Sequence, residues 1–86
     1  MDGVNPLKEI YLRHKETFQK IGLRIQYFRK KQNLSQAELA KRIGISMSYI
    51  SKIERADIDS FAVITLLDIA DALNISASAL LAEDNI

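Results

Sequence analysis

The stretch LSQAELAKRIGISMSYISKIER, Leu34 to Arg55, constrains this chain more than any other part of it. Counted from Gln36, apolar residues fall at offsets 3, 4, 7, 9, 14 and 17: Leu39, Ala40, Ile43, Ile45, Ile50 and Ile53. That spacing describes two short helices whose apolar faces meet across a turn. Helices that cross closely need a small side chain at the crossing, which Ala40 supplies. The turn needs a residue that takes positive φ at low cost, and Gly44 stands there at offset 8. Ser35 and Ser46 are N-caps, and Glu38, three residues after Ser35, completes a capping box. Ser46 has no such partner, because Tyr49 holds its third position.

Two amphipathic helices of an ordinary bundle share the apolar spacing. They do not require the small residue, the glycine and both caps at matching offsets. Together these single out a helix-turn-helix, a unit that holds its second helix against a DNA groove. Charge points the same way. Residues 1–55 carry all twelve Lys and Arg and five acids, a net +7; residues 56–86 carry six acids and no base, a net −6. The total of +1 hides a dipolar molecule. A basic half containing the second helix suits a polyanion, and an acidic half keeps the other side away from it.

Eighty-six residues make one domain, enough for a compact helical core but not for a large catalytic cleft. The chain has no cysteine, which excludes a disulfide scaffold and a thiol-based zinc site. No apolar run approaches the roughly 20 residues of a membrane span. The expectation is a soluble, cytoplasmic protein without metal or cofactor.

Helix follows helix along the chain. Asn5 caps a first helix with Pro6 at its opening position. Leu7, Ile10, Tyr11, His14, Phe18, Ile21, Ile25 and Phe28 then recur at helical spacing. This fits one helix to about Lys31, or two broken between Thr17 and Gly22. The next helices are expected at Gln36–Ile43 and Met47–Arg55. Asp59 or Ser60 is expected to cap a fourth, carrying Val63, Leu66, Leu67, Ile69, Ala70 and Leu73. Ser76 caps a short fifth with Leu80 and Leu81. No segment alternates with period two, so the fold class is all-α. The division is an N-terminal helical extension over 1–20, a helix-turn-helix domain over 21–82 and a short tail over 83–86.

The segments IGLRIQYFRKKQNLSQAELAKRIGISMSYISKIER and LLDIADALNIS resemble the Xre-like, phage-repressor-type helix-turn-helix family. The resemblance covers roughly Ile21 to Ala82. It implies a compact five-helix, repressor-like domain that places its third helix in the major groove. The short chain is similar to small restriction–modification controller proteins, and small prophage or plasmid repressors are equally close.

On the third helix, at about 100° per residue, Ile50 and Ile53 point inward, while Met47, Ser48, Ser51, Lys52 and Arg55 gather on the opposite side. The N-terminal residues of a recognition helix go deepest, so Met47, Ser48, Ser51 and Lys52 are the base-reading candidates. Methionine suits a thymine methyl, serine donates or accepts, and lysine reaches guanine O6 and N7. Lys52 also has the alternative of a phosphate contact. Without a bidentate Arg, Asn or Gln, direct readout is modest and DNA shape carries part of the specificity. Phosphate candidates are Ser35 and Gln36 at a helix N-terminus, Arg55, and more weakly Arg24 and Tyr49; for Tyr49, packing is an equal alternative.

The family resemblance implies that Arg29 pairs with Glu54, neutralising an acid that would otherwise repel phosphate. His14, the single histidine, lies on the apolar stripe and has no metal partners. One segment departs from the family pattern. After the third helix the family carries glycine and bases, whereas this chain reads Ala56-Asp57-Ile58-Asp59-Ser60-Phe61. Its apolar residues are expected to join a dimer interface made of Ile58, Phe61, Ile64, Leu81 and Ile86, with the N-terminal helix as the rival interface.

The expected function is a sequence-specific, homodimeric transcription regulator bound to a palindromic operator on double-stranded DNA. The alternative is an antitoxin-like or co-regulator interaction subunit with the same fold. No enzyme is expected: no Ser/His/Asp set, phosphate loop or acid pair can be assembled. No small-molecule ligand or membrane partner is implied.

Overall fold

A computed structural model describes residues 5–58 and 60–82. Within them the chain forms five helices: α1 Pro6–Lys31, α2 Gln36–Ile43, α3 Met47–Glu54, α4 Val63–Ala72 and α5 Ala77–Leu81. The fold is all-α.

The first helix runs unbroken for 26 residues. Asn5 Oδ1 accepts from the Leu7 N–H at 3.0 Å and the Lys8 N–H at 3.4 Å, and Pro6 opens the helix. Arg29, Lys30 and Lys31 end it, where cations oppose the negative end of the dipole. Gly22 does not interrupt it. A glycine in a helix interior costs about 1 kcal/mol against alanine, so packing must explain its presence. There is no room for a side chain: a Cβ on Gly22 would sit 2.4 Å from the Glu54 carbonyl oxygen and 2.8 Å from that of Ile53. Here α1 crosses the last turn of α3 backbone against backbone.

Ile25, Leu39, Ile50, Ile53, Ile69, Leu73 and Leu80 are the largest fully buried side chains, contributed by all five helices. Phe18, Phe28, Ile43, Ile45, Tyr49, Ile58 and Phe61 pack around them. His14 is exposed, although Tyr11 and Phe18 on either side of it along the stripe are half-buried.

Four helices end in the same way. The amides of Leu34, Ile45, Asp57 and Ile75 reach back to the carbonyls of Arg29, Ala40, Lys52 and Ala70, at 2.8–3.1 Å. Each closure passes through one left-handed residue: Asn33, Gly44, Ala56 and Asn74, with φ of 57, 75, 54 and 57°. Glycine and asparagine tolerate that region, but alanine does not. Replacing Ala56 by glycine removes a steric penalty of about 1–2 kcal/mol and gives up one buried methyl, worth about 0.8 kcal/mol. The expected net result is a small stabilisation, read as a higher urea midpoint with unchanged slope. An unchanged or lower midpoint would contradict this account of the turn.

Two capping expectations need correction. Ala62 occupies the N-cap of α4 and makes no side-chain cap hydrogen bond; Ser60 is exposed and stands before the cap, and Asp59 lies outside the described residues. Phe61, just before this cap, packs its ring against Phe18. Ser76 does hold the N-cap position of α5, but its Oγ lies 2.9 Å from Ser78 Oγ instead of capping a backbone amide.

Candidate nucleic-acid interface

The second and third helices are set by their caps. Glu38 N–H donates to Ser35 Oγ at 3.0 Å, and Ser35 N–H donates to Glu38 Oε1 at 2.8 Å, closing the expected box. The Ser35 N–H also holds the Glu38 carboxyl below its ordinary pKa. Gly44, left-handed, terminates α2. Ser46 Oγ then accepts from the Tyr49 N–H at 3.1 Å and starts α3.

That start fixes which way α3 faces. Ile50 and Ile53 are 0 and 2% exposed and anchor the helix inward. Met47, Ser48 and Lys52 are exposed, Ser51 is half-buried, and all four stand on the outward side. The base-reading candidates are therefore brought together on one accessible surface. A thioether, two hydroxyls and an ammonium can meet base edges by apolar contact, by donation and acceptance, and by charge.

Beneath this surface lies the expected ion pair. Arg29 donates from Nε to Glu54 Oε2 at 2.7 Å and from Nη2 to Oε1 at 2.9 Å. Its Nη1 donates to the Leu34 carbonyl at 2.8 Å. Both residues are buried, and the bidentate fork satisfies the charges that burial strips of water. Gln36 joins them, donating from Nε2 to Glu54 Oε1 at 3.0 Å. One side chain each from α1, α2 and α3 meets at this point. The sequence marked Gln36 as a phosphate contact; the structure gives its amide an internal acceptor, the acid at the end of α3.

The remaining phosphate candidates divide. Ser35 sits at the α2 N-terminus with its hydroxyl committed to the capping box. Arg55 is exposed but partly engaged, donating from Nε to Ser51 Oγ at 3.2 Å and lying 3.5 Å from Asp57. Tyr49 packs partly against the core. Arg24 is 5% exposed and already engaged, so the structure withdraws it from the surface that a phosphate would touch.

The sequence reading missed the role of Tyr11. Its hydroxyl donates to the Ala56 carbonyl at 2.5 Å, just past the end of α3. Its ring stacks on Phe18 at 5.4 Å between centroids, and Phe18 meets Phe61 at 6.2 Å. The N-terminal extension is thus bolted to the α3–α4 loop. A phenol on an apolar stripe was the available signal, since a packed tyrosine looks for an acceptor. Ile58 and Phe61, expected at a dimer interface, pack half-buried against the core of their own chain. Ile64 and Leu81 are exposed, and Ile86 lies outside the described residues. Among the described residues no cluster of His, Cys, Asp or Glu is placed to hold a metal, and no helix is long and apolar enough to cross a membrane.

Comparison with known proteins agrees with this geometry. The helix-turn-helix family profile matches residues 25–80. The immunity repressor protein of Bacillus phage phi105 is 38% identical over 66 residues, covering 77% of this chain and 45% of the repressor. The chain thus spans less than half the length of that relative. The restriction-modification controller protein C.AhdI from Aeromonas hydrophila superposes with a TM-score of 0.70 at 32% identity, covering 73% of this chain and 94% of that one. The biofilm master regulator SinR, solved in complex with DNA, gives a TM-score of 0.67 at 36% identity, covering 71% of this chain and 97% of that one.

Proposed function

The chain belongs to the helix-turn-helix family, and from that premise we propose that it is a transcription regulator that binds double-stranded DNA in the cytoplasm. In this reading α3 enters the major groove and two copies bind a palindromic operator. The observation that carries it is the outward face of α3. Met47, Ser48 and Lys52 stand exposed, and Ser51 half-buried beside them, opposite fully buried isoleucines, in the part of the chain with net charge +7. The nearest acid, Glu54, is turned inward and neutralised by Arg29. The outward side of α3 then carries no carboxylate of its own, and Asp57 just beyond its end is paired with Arg55 at 3.5 Å. The likeness to SinR, which has been solved with DNA, supports the same reading. One helix-turn-helix reads only a few base pairs, which is why a symmetric pair of copies on half-sites one helical turn apart is part of the proposal. The alternative, an interaction subunit, has one observation in its favour: the apolar residues Val63, Ile64 and Leu67 left exposed on α4.

Footprinting on DNA upstream of its own gene would find the operator, and titration by fluorescence anisotropy would then test the mode of binding. A dimer neutralising about 6–8 phosphates loses affinity on a log–log salt plot with a slope near −5 to −7. Lys52→Ala should weaken the specific site by about 1–3 kcal/mol and leave nonspecific binding nearly intact. Equal losses on both DNAs would make Lys52 a phosphate ligand. No binding at low salt to any fragment would leave the interaction-subunit alternative standing.

A further inference from the structure

The apolar seam of α1 is longer than the body it packs on. Leu7, Tyr11, His14, Phe18, Ile21 and Ile25 alternate at spacings of four and three, the a/d pattern of a helix meant to be covered along its length. Coverage fails toward the N-terminus. Ile25 and Ile21 are buried, Phe18 and Tyr11 half-buried, and His14 and Leu7 exposed, Leu7 at 60%. Ile10 beside them is 46% exposed. Lys8 and Lys15, seven residues apart, border this uncovered seam on one side.

A second uncovered surface has the opposite charge. Val63, Ile64 and Leu67 are 70, 68 and 46% exposed on α4. Asp68 and Asp71 stand exposed on the same side. No base occurs after Arg55, and the one base beside these acids is Arg42 of α2, which donates to the Ala72 carbonyl at 3.3 Å and leaves the two carboxylates in excess among the described residues. Pairing two α4 faces directly would set Asp68 and Asp71 of one copy against those of the other. Pairing two N-terminal seams would do the same with lysines. Pairing one with the other brings apolar to apolar and ammonium to carboxylate.

We propose that the N-terminal turns of α1 from one copy dock on the outward face of α4 of a second copy, and reciprocally, about a two-fold axis. This rests on the homodimer reading above and names the contact that holds it. The two-fold doubles the buried patch, as a stable dimer of small domains requires. Tyr11 and Phe18 fix the emerging helix against the α3–α4 loop, so the docking segment leaves its own domain in a set direction.

The chain has no cysteine, which makes directed cross-linking clean. Leu7→Cys and Leu67→Cys change exposed side chains and leave the core intact. A disulfide forms only where Cα atoms come within about 7 Å. Equal amounts of the two variants, one carrying an affinity tag, are mixed and oxidised, and the products are separated by mass. The expected result is a mixed dimer as the main cross-linked species, with little self-linked product from either variant. Self-linking of Leu67→Cys would overturn the proposal in favour of paired α4 faces, and self-linking of Leu7→Cys in favour of paired N-terminal helices. Sedimentation of the unmodified chain as a dimer with no cross-link at all would overturn this contact alone. Sedimentation as a monomer would remove the homodimer reading itself.

Discussion

Glu54→Ala is expected to cost about 3–5 kcal/mol of folding stability, because it strands a buried guanidinium. Arg29 would keep its Nη1 bond to the Leu34 carbonyl but lose both bonds to the carboxylate, at 7% exposure. Gln36 would lose the acceptor of its amide as well. A domain of this size has a total stability on the order of 5–15 kcal/mol, so the variant should be partly unfolded at modest urea concentration. Arg29→Ala should cost a similar amount. The double variant should cost clearly less than the two single losses added, since no charge is then left unpaired. Urea denaturation of the four proteins provides the cycle. If either single variant stays within about 1 kcal/mol of the parent, the pair acts as a surface ion pair and the interior placement is wrong.

Gly22→Ala sets two effects of opposite sign against each other. In an exposed helix the substitution stabilises by about 1 kcal/mol. Here the added carbon would meet backbone, the Glu54 carbonyl oxygen at 2.4 Å and its carbon at 2.8 Å, and backbone cannot swing aside like the end of a side chain. Separating α1 from α3 disturbs the packing of Ile25, Ile50 and Ile53 together. Overpacking of this kind costs about 1–3 kcal/mol, so the clash should win and the thermal midpoint should fall. It should also weaken operator binding beyond the loss of folded protein, because the displaced element is the helix that carries the reading face. An alanine variant as stable as the parent would mean that the two helices do not cross at this contact.

These two sites also mark where sequence reading succeeded and where it stopped. The boundaries of α2 and α3, their caps and the left-handed Gly44 were legible because each depends on residues within one turn. Arg29 and Glu54 could be paired across 25 positions only through the family resemblance. The role of Gly22 was hidden, since nothing near it in sequence reveals a carbonyl from α3 overhead. Ile58 and Phe61 looked like surface for a partner because the loop was read alone; the aromatic stack of Tyr11 and Phe18 that covers Phe61 arrives from more than forty positions away. The α4 cap was misplaced because Asp59 and Ser60 are good capping residue types, whereas the position is held by Ala62 with no side-chain cap bond. Arg24 read as a surface base because charge in a sequence carries no depth.

The junction of Arg29, Glu54 and Gln36 has a bearing on motion. Cooperative units of a protein open together when they share buried polar partners, and local opening is confined to parts that do not. The α2–α3 unit cannot lift from α1 without breaking all three bonds that Arg29 makes to Glu54 and Leu34, whereas the first turn of α1 is exposed up to the half-buried Tyr11. The amides of α3 are therefore expected to exchange with solvent at rates close to those of global opening, which native-state hydrogen exchange would check. The outward face of α3 thus belongs to the most firmly tied part of the fold, and the exposed first turn of α1 lies at the far end of the longest helix.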